Sequence, residues 1–544
     1  MANTTIISTV STFGIPFALD TMPGFPYIDY LERQEEYARY KSWYTGSALL
    51  EQQSQGDKTI DLYPLKINPI RQACLKHAYA LFGEFQDELS GPLVIPKVAL
   101  TEPIDKTVAD TIEDALSKVW YENSGGALMM EGGTLSQIYG GCIFKVSWVP
   151  DNDPPIRIEL IQPNEFVAIP DGINYWSLKE AWVIRVISAT DALSYNVNIP
   201  GAYGYYLEHW TKDHYEITVN GTSIETNILG DKTIMEGANP FGFVPFVYIP
   251  HQRTGTFYGD SLISDAAIGI TKEINLRTAD AGDATNDQSH SVLAIRNVRG
   301  TPQLTRLGNG INVINLGGSQ SITGNEQQPD MFAVTRSSIT EPMLNLNAEL
   351  RNDIRKELFV PPVAEGGEDA GSQRSAVTLV IKMWPLTSHV KSERAYWSAG
   401  LTIFNRMILK ILAEKGLYSV TKEHTSIRIK NKWSPILPRD REAFVQELVA
   451  RAGVNLGSLE HLITLIGDVE DIDLVMGQIK EWLEFQAEMK AKSVPVQPAF
   501  GGQDGSEGNS GGPQGAQRSG GRQVPNSNKT ASDQRPETTR TREG

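Results

Sequence analysis

The chain has 544 residues, more than one compact core can organise, and this length predicts two to four packed units. Hydrophobic residues make up 40% and charged residues 21%, as in ordinary folded proteins. The formal net charge of -16 excludes a protein that wraps DNA on a broadly basic surface, because an acidic chain repels phosphates. A protein that lets DNA slide past it remains compatible with this charge.

The beginning of the chain shows no secretory signal. The first basic residue is Arg33, and no apolar run reaches the ~18 residues that a membrane-spanning helix needs. Cys74 and Cys142 lie in apolar helical and strand patterns, so we interpret both as buried free thiols in a reducing compartment. No Cys/His spacing is typical of a metal site. We expect a soluble protein, or part of a soluble assembly, without a metal or cofactor.

The first half of the chain predicts helices followed by a mostly antiparallel sheet. Residues 1–26 predict a flexible arm, and residues 27–257 an α+β unit. Asn68 can cap a helix that has Pro69 at its first position. His77 lies on the apolar stripe of that helix, where a satisfied core histidine is more common than a ligand. Helical patterns cover residues 27–44, 69–81, 106–120 and 127–139, and strand patterns cover 143–146, 156–161, 181–187, 205–210 and 215–219.

Two local signals refine this sheet. Asn220-Gly221 predicts a tight turn after the last of those strands. Pro240, Pro245 and Pro250 punctuate the next apolar segment, and proline removes a ladder donor. The segment is therefore expected to form an edge strand or an extended crossing.

Residues 258–285 and 339–360 predict two long helices. Their apolar positions are Ile263, Ala266, Ile270 and Ile274 in the first helix and Met343, Leu346, Leu350 and Ile354 in the second. These stripes are narrow, and the first is rich in small residues. Such helices suit packing among similar neighbours better than burial in a large core.

Four carboxylates on the first of these helices raise the alternative of a metal-dependent nuclease. They are Asp265, Glu273, Asp280 and Asp283. A two-metal site needs converging carboxylates, whereas one helix spreads these over several faces. A solvated helix face is the favoured interpretation.

Residues 286–338, between the two helices, predict a small β-rich insertion with short strands at 292–295 and 311–314. The insertion has too few apolar residues for its own core, so a partner chain is expected to complete it. Pro361-Pro362 ends the second long helix and begins a Gly-rich acidic loop, 361–373. A long helix with a kink at Pro385 and a return strand then fill residues 374–435.

Three short helices are predicted within residues 436–490. Residues 491–544 are dominated by Gly, Ser, Gln and Asn and predict a disordered tail.

Motifs of catalysis are missing from the sequence. It has no phosphate-binding P-loop, no G-x-S-x-G and no H-E-x-x-H. Leu307-Gly308-Asn309-Gly310 has paired glycines, but no third glycine and no following helix, so it does not indicate a dinucleotide site. The sequence predicts that the protein is not an enzyme.

Several local motifs occur in a specific order along the chain. They are NPFGFVPFVY at 239–248, FYGDS at 257–261, KEIN through AD at 272–280, VPP at 360–362, MWPL at 383–386, WSP through LPRD at 433–440, and AGV at 452–454. Each motif is weak alone, but their order, together with the order of the predicted parts, resembles the portal proteins of tailed double-stranded DNA bacteriophages over about residues 30–490.

The resemblance implies a head-to-tail connector: a ring, expected to be a dodecamer, at one capsid vertex. It implies a portal-type α+β fold with a wing (27–257), two stem helices (258–285 and 339–360), a clip (286–338), a tunnel loop (361–373) and a helical crown (436–490). The ring would conduct DNA during packaging and ejection. Implied partners are other copies of the chain, the terminase large subunit, a head-completion or adaptor protein, major capsid and scaffolding proteins, and transient, sequence-independent double-stranded DNA, but no membrane. The protein would be assembled in the host cytoplasm and reside in the virion.

The resemblance also assigns residues to these parts. The stem-packing residues would be the eight apolar positions named above. Docking at the clip would involve Arg296, Arg299, Arg306 and Asn309. The tunnel loop would contribute Glu365, Gly366, Gly367, Glu368, Asp369, Gln373 and Arg374. A ring of its carboxylates facing the channel would repel phosphate and favour sliding.

Two alternatives stay open on the sequence. One is a phage nucleic-acid-processing enzyme, which would use the carboxylates of the first long helix. The other is a different structural ring of the tail or baseplate.

Overall fold

A computed structural model describes residues 24–51, 66–83, 91–99, 105–150, 153–224, 236–289, 292–296, 303–306, 312–315, 330–334, 341–365, 376–437, 441–454, 456, 458–466 and 472–492. The chain divides into two compact units between Asp440 and Arg441. Among the helices described, none is both long and apolar enough to cross a membrane.

In the first unit, helices lie mainly near the two ends of its sequence. The described elements of the second unit are helices. They are α1 (Tyr27–Thr45), α2 (Ala48–Glu51), α3 (Pro69–Phe82), α4 (Lys106–Glu122), α5 (Gly125–Tyr139), α6 (Ala189–Ser194), α7 (Asp265–Ser289), α8 (Glu341–Glu357), α9 (Ala376–Lys382), α10 (Trp384–Lys415), α11 (Arg441–Gly453), α12 (Leu459–Ile466) and α13 (Ile472–Lys492). The predicted start of α3 is confirmed, because the Asn68 side chain accepts the Arg71 N–H at 3.1 Å and Pro69 opens the helix.

The strands lie mainly in the middle of the first unit. They are β1 (Ile95–Val98), β2 (Gly141–Trp148), β3 (Ile156–Ile161), β4 (Phe166–Asp171), β5 (Asn174–Ser188), β6 (Tyr203–Thr211), β7 (His214–Val219), β8 (Thr222–Ser223), β9 (Glu236–Ala238), β10 (Phe246–Pro250), β11 (Val292–Arg296), β12 (Gln303–Arg306), β13 (Asn312–Asn315), β14 (Asp330–Val334) and β15 (Ile429–Lys432). With the helices before and after them, they form an α+β fold.

Two antiparallel sheets form the β part of the predicted wing. One runs β4-β5-β6-β7-β8, with β9 also on β7, and the other runs β10-β2-β3. Asn220 and Gly221 both have positive φ, 52° and 77°, and join β7 to β8, which confirms the predicted turn. Among the described strands, β10 pairs with β2 alone and lies at its sheet's edge, which is one of the two arrangements that the prolines predict. Strand β4 has no counterpart among the predicted strands.

Helix α10 is the central element of the largest core. Trp397, Phe404 and Leu412 on this helix are fully buried, with Trp120 of α4 and Phe144 of β2 packed beside them. The Trp120 indole donates to the Asn405 side chain at 2.9 Å, which satisfies both groups in an apolar setting. The last long helix of the first unit is therefore a core element that holds α4 against the sheet.

A second core joins the N-terminal helices to α7 and α8. Its buried members include Trp43, Ile70, Cys74, Ile274 and Ile354. Cys74 and Cys142 are both free and buried, as predicted, and burial raises the pKa of the Cys74 thiol to about 12. That thiol therefore stays protonated at neutral pH.

Several boundaries and lengths differ from the sequence-based expectations. Helix α7 begins at Asp265, later than 258, and ends at Ser289, past 285. Pro385 separates α9 from α10 instead of kinking one helix, because its ring suits the first turn of a new helix. The return strand begins at Ile429 and pairs with β1, which was not predicted. Helix α13 has 21 residues and is not short.

The insertion between α7 and α8 is a mixed sheet. Its described strands have the order β12-β13-β11-β14. Strand β11 pairs in parallel with β13 and antiparallel with β14. The two predicted strands therefore correspond to β11 and β13, and β12 and β14 complete the four-stranded sheet.

Candidate channel and docking elements

Helices α7 and α8 pack against each other as an antiparallel pair. Ser264, just before α7, donates to the Glu357 carboxylate at 2.6 Å, and Asn347 donates to the Thr278 hydroxyl at 3.3 Å. The Ser264 hydroxyl also accepts the Ala267 N–H at 3.0 Å, which caps the helix that follows. The pair is thus fixed at the end near the second core and again along its length.

The predicted stem stripe divides into a buried part and an exposed part. Ile263, Ile274 and Ile354 are buried in the second core, and Ile270 and Leu350 pack partly against it. Met343 is half-buried, whereas Ala266 is exposed. Leu346 is 41% exposed, and its neighbour Leu344 is 56% exposed. The buried part therefore fixes the stem within one chain, and the exposed part is available for a neighbour.

The acidic residues of α7 pair with arginines. Arg277 lies 2.7 Å from the Glu273 carboxylate and 3.2 Å from that of Asp280. Asp265 pairs with Arg39 of α1 at 2.8 Å, and the Asp283 side chain lies outside the described part. Within that part, the α7 carboxylates form surface ion pairs and not the convergent set that a two-metal nuclease needs.

Glu365 ends a short 3-10 turn, Pro362–Glu365, directly after the stem. Its carboxylate accepts from Lys76 of α3 at 3.2 Å and from Arg355 of α8 at 2.8 Å. Partial burial disfavours its charged form, but the two cations more than offset burial and hold the pKa of Glu365 below its usual value. Its carboxylate thus has two cationic partners in its own chain. Gly366, Gly367, Glu368, Asp369, Gln373 and Arg374 lie outside the described residues, and their channel role stays a prediction.

The predicted clip residues are only partly described. Arg296, at the end of β11, pairs with Asp330 of β14 at 2.7 Å and lies 5.7 Å from the Phe332 ring centroid. Both charged side chains are largely exposed, so their pairing leaves Arg296 accessible. Arg306 is described through its backbone in β12. Arg299 and Asn309 lie outside the described residues.

The FYGDS motif at 257–261 connects strand β10 to helix α7, the predicted wing to the predicted stem. The Tyr258 hydroxyl accepts the Ala168 N–H of β4 at 3.1 Å, and its ring lies 3.8 Å from the Arg33 guanidinium. Gly259 donates its N–H to the Tyr248 hydroxyl at 2.8 Å, and a Cβ at Gly259 would meet the Gly140 carbonyl oxygen. Ser261 donates to the Ile138 carbonyl at 2.6 Å. The motif therefore has a structural role: it fixes the chain where it enters the stem.

Two buried groups were not singled out by sequence reasoning. Lys145 of β2 and Glu208 of β6 form a fully buried ion pair at 2.8 Å between the two wing sheets. His251, His389 and Glu393 form a cluster that could hold a metal ion. The only sequence signal for the cluster is the i,i+4 spacing of His389 and Glu393, which places them on one helix face.

Comparison with known proteins identifies the family. A family model described as "Phage portal protein, SPP1 Gp6-like" matches residues 97–491, which is most of the chain. The chain belongs to this portal protein family. This confirms the resemblance seen in the sequence, and the portal family is a structural component of phage particles and not a family of enzymes.

The comparisons with curated proteins and with solved structures add no further assignment. Among curated proteins, none matches the chain significantly. A solved structure titled "Neck of empty GTA particle computed with C6 symmetry" is 13% identical with a TM-score of 0.39, and the match covers 74% of this chain and 90% of that one.

Proposed function

We propose that this portal protein assembles into a closed ring, expected to be a dodecamer, at one capsid vertex and conducts DNA during packaging and ejection. The proposal rests on the burial pattern of the two predicted stem helices, α7 and α8. Their inner residues are buried within one chain, while Leu344 and Leu346 remain exposed on a helix that is held firmly in place. Repeated head-to-tail contact between identical neighbours would cover such residues and close a ring.

Electron microscopy of the purified full-length chain tests this proposal. We expect rings with a central channel, and class averages would give their symmetry. A chain that remains monomeric at all concentrations and salt conditions would contradict it. Rings that co-purify with tail proteins, and not with a packaging ATPase, would favour a tail or baseplate component.

The remaining assignments follow from the portal family and belong to the same proposal. The sheet β11–β14 would dock the terminase large subunit and later a head-completion or adaptor protein, with Arg296 as the predicted docking residue whose side chain is described. Capsid and scaffolding proteins would surround the ring. DNA would be a transient partner without sequence preference, in keeping with the net charge of -16.

Reversing the charge of the tunnel loop is expected to impair DNA transport but not ring assembly. In a twelve-fold ring, the double variant Glu368→Lys with Asp369→Lys would make the channel more positive by about four dozen elementary charges. This change favours phosphate binding over sliding. We expect DNase-protected DNA per procapsid to fall by about tenfold or more.

A matched control carries the same charge change on the outside of α1. Glu32 and Glu35 are exposed there, so Glu32→Lys with Glu35→Lys should package DNA normally. Normal packaging by the loop variant would remove the sliding argument. Glu365 is left unchanged in this test because its ion pairs with Lys76 and Arg355 would be broken by a charge reversal.

A further inference from the structure

A cluster of buried imidazole and carboxylate groups lies where β10, the segment before the stem and α10 meet. His251 directly follows β10, and His389 and Glu393 are one turn apart on α10. The Nε2 atoms of His251 and His389 are 3.0 Å apart. One ligand atom from each of the three residues lies within 4.8 Å of the other two. His251 and Glu393 are 3% and 1% exposed.

Hydrogen bonds outside the cluster orient two of these three groups. The His251 Nδ1 lies 2.8 Å from the Asp260 carbonyl oxygen and must donate to it, which leaves a lone pair on Nε2. Glu393 accepts through Oε1 from Gln137 at 2.7 Å and from Ser136 at 3.3 Å. Metal-binding imidazoles and carboxylates in proteins are held in this way by a second layer of polar groups.

The second carboxylate oxygen of Glu393 has no such support. Within the described part of the chain, Oε2 is buried without a hydrogen-bond partner, and so is Nε1 of the nearby Trp397 indole. A buried carboxylate oxygen without a partner is costly, and native structures usually satisfy it. A small shift of the Trp397 N–H, a proton or a cation would satisfy this oxygen.

Arg394, the residue after Glu393, donates to the backbone carbonyls of Leu81 and Ser434. A bound cation would instead give the second carboxylate oxygen of Glu393 a partner.

We propose that His251 Nε2, His389 Nε2 and Glu393 Oε2 bind a divalent transition-metal ion of the Zn²⁺ or Co²⁺ type. Two imidazoles and one carboxylate suit these ions better than Mg²⁺ or Ca²⁺, which prefer all-oxygen sites. The ion would clamp the segment that enters the stem to α10. Phe359, stacked on the His389 ring with centroids 4.7 Å apart, partly covers the site.

A direct hydrogen bond between the two imidazoles is the competing explanation of their 3.0 Å separation. His389 Nε2–H could donate to the His251 Nε2 lone pair. This arrangement holds no ion and keeps Glu393 protonated. The two explanations differ in one measurable property, which is metal binding by the folded chain.

Cobalt titration of the full-length chain separates them. After dialysis against a chelator, we expect one Co²⁺ per chain with visible d–d absorption, displaced stoichiometrically by Zn²⁺. Saturating Zn²⁺ should raise Tm by about 4 °C or more, because the ion binds the folded state. Fewer than about 0.1 Co²⁺ per folded chain would overturn the proposal.

Variants locate the bound ion. His389→Ala should abolish the d–d bands, and Glu393→Gln, which keeps the side-chain shape, should weaken Co²⁺ binding by at least about tenfold. The control His461→Ala removes an exposed histidine of α12 and should bind like the unmodified chain. If circular dichroism shows that His389→Ala does not fold, the Co²⁺ affinity of Glu393→Gln decides between the two explanations. Undiminished binding by the folded Glu393→Gln variant, or binding lost only in His461→Ala, would overturn the assignment.

Discussion

Replacing Lys145 by methionine is expected to lower the free energy of unfolding by about 3–5 kcal/mol, because it leaves Glu208 charged and buried without its partner. The ammonium group lies 2.8 Å from the Glu208 carboxylate, which also accepts from the Tyr206 hydroxyl at 2.8 Å and the Trp210 indole at 3.0 Å. Lys145 and Glu208 are 1% and 2% exposed. Since the pair joins β2 to β6, its loss would loosen both sheets of the wing.

Urea unfolding at one fixed protein concentration measures this effect, since oligomerisation changes apparent stability. The control Lys179→Met removes an exposed lysine that pairs with Glu180 at 3.3 Å, and it should cost no more than about 1 kcal/mol. Adding Glu208→Gln to Lys145→Met removes the orphaned charge and keeps an acceptor for Trp210, so part of the stability should return. Equal effects of Lys145→Met and Lys179→Met would contradict the buried-pair argument.

The pH dependence of this pair follows from its two pKa shifts. Burial disfavours both charges, but each partner more than offsets it, so the pKa of Glu208 is lowered and that of Lys145 is raised. The contribution of Glu208 to the free energy of unfolding is complete above its unfolded pKa of about 4.3. It is lost as pH falls through the folded pKa of Glu208. The Lys145 contribution is complete below about 10.4 and is lost as pH rises through its folded pKa. In the unmodified chain the contribution of the pair should therefore be constant between about pH 5 and 9, whereas the deficit of Lys145→Met should grow as pH rises above about 5, because burial raises the pKa of a Glu208 that has lost its partner.

Local signals in the sequence predicted local structure well. Asn68-Pro69 predicted the start of α3, and Asn220-Gly221 predicted the hairpin between β7 and β8. The prolines around β10 predicted an edge strand or an extended crossing, and the structure has an edge strand. These features depend on backbone dihedral angles and donors that a few adjacent residues fix by themselves. The order of such elements was also enough to recognise the portal family.

Contacts between distant residues could not be predicted in this way. Lys145 and Glu208 are 63 residues apart, His251 and His389 are 138 apart, and Lys76 and Glu365 are 289 apart. Each residue in isolation resembles a common strand, helix or loop residue. Glu365 is an example. The sequence-based interpretation grouped it with loop carboxylates that would face a channel, whereas in the structure it contacts two cations, Lys76 and Arg355. Its charge therefore stabilises the junction of α3 and α8.

Helices α7 and α8, the predicted stem, lie between these two cases, because the sequence predicted part of their packing. The helical period correctly identified its apolar positions, but the period alone did not tell which of them the chain itself buries. Ile263, Ile274 and Ile354 are buried because α1 and α3 pack over them, and those helices are far away in sequence. Leu346 remains exposed because the described elements do not cover that part of α8.

Changing Leu346 to aspartate should therefore prevent ring assembly without unfolding the chain. Covering the exposed 41% of Leu346 contributes about 1 kcal/mol, and an aspartate in its place would in addition have to lose water at the contact, which costs about 1–3 kcal/mol. Because each 1.4 kcal/mol is a tenfold change in an association constant, every subunit contact should weaken by at least about tenfold. A ring needs all its contacts, so size-exclusion chromatography with light scattering should show monomers and small oligomers.

Asn345→Asp is the matched control, since it adds the same charge to the adjacent exposed residue of α8, which the predicted packing stripe does not include. Its rings should form normally. Both variants should melt within about 2 °C of the unmodified chain when all are compared as monomers, because neither residue lies in a described core. Abundant rings of Leu346→Asp would mean that neighbours do not pack on this part of the stem. The exposed leucines of α8 would then have to be covered by another element or partner, and the ring contacts would have to be sought elsewhere on the chain.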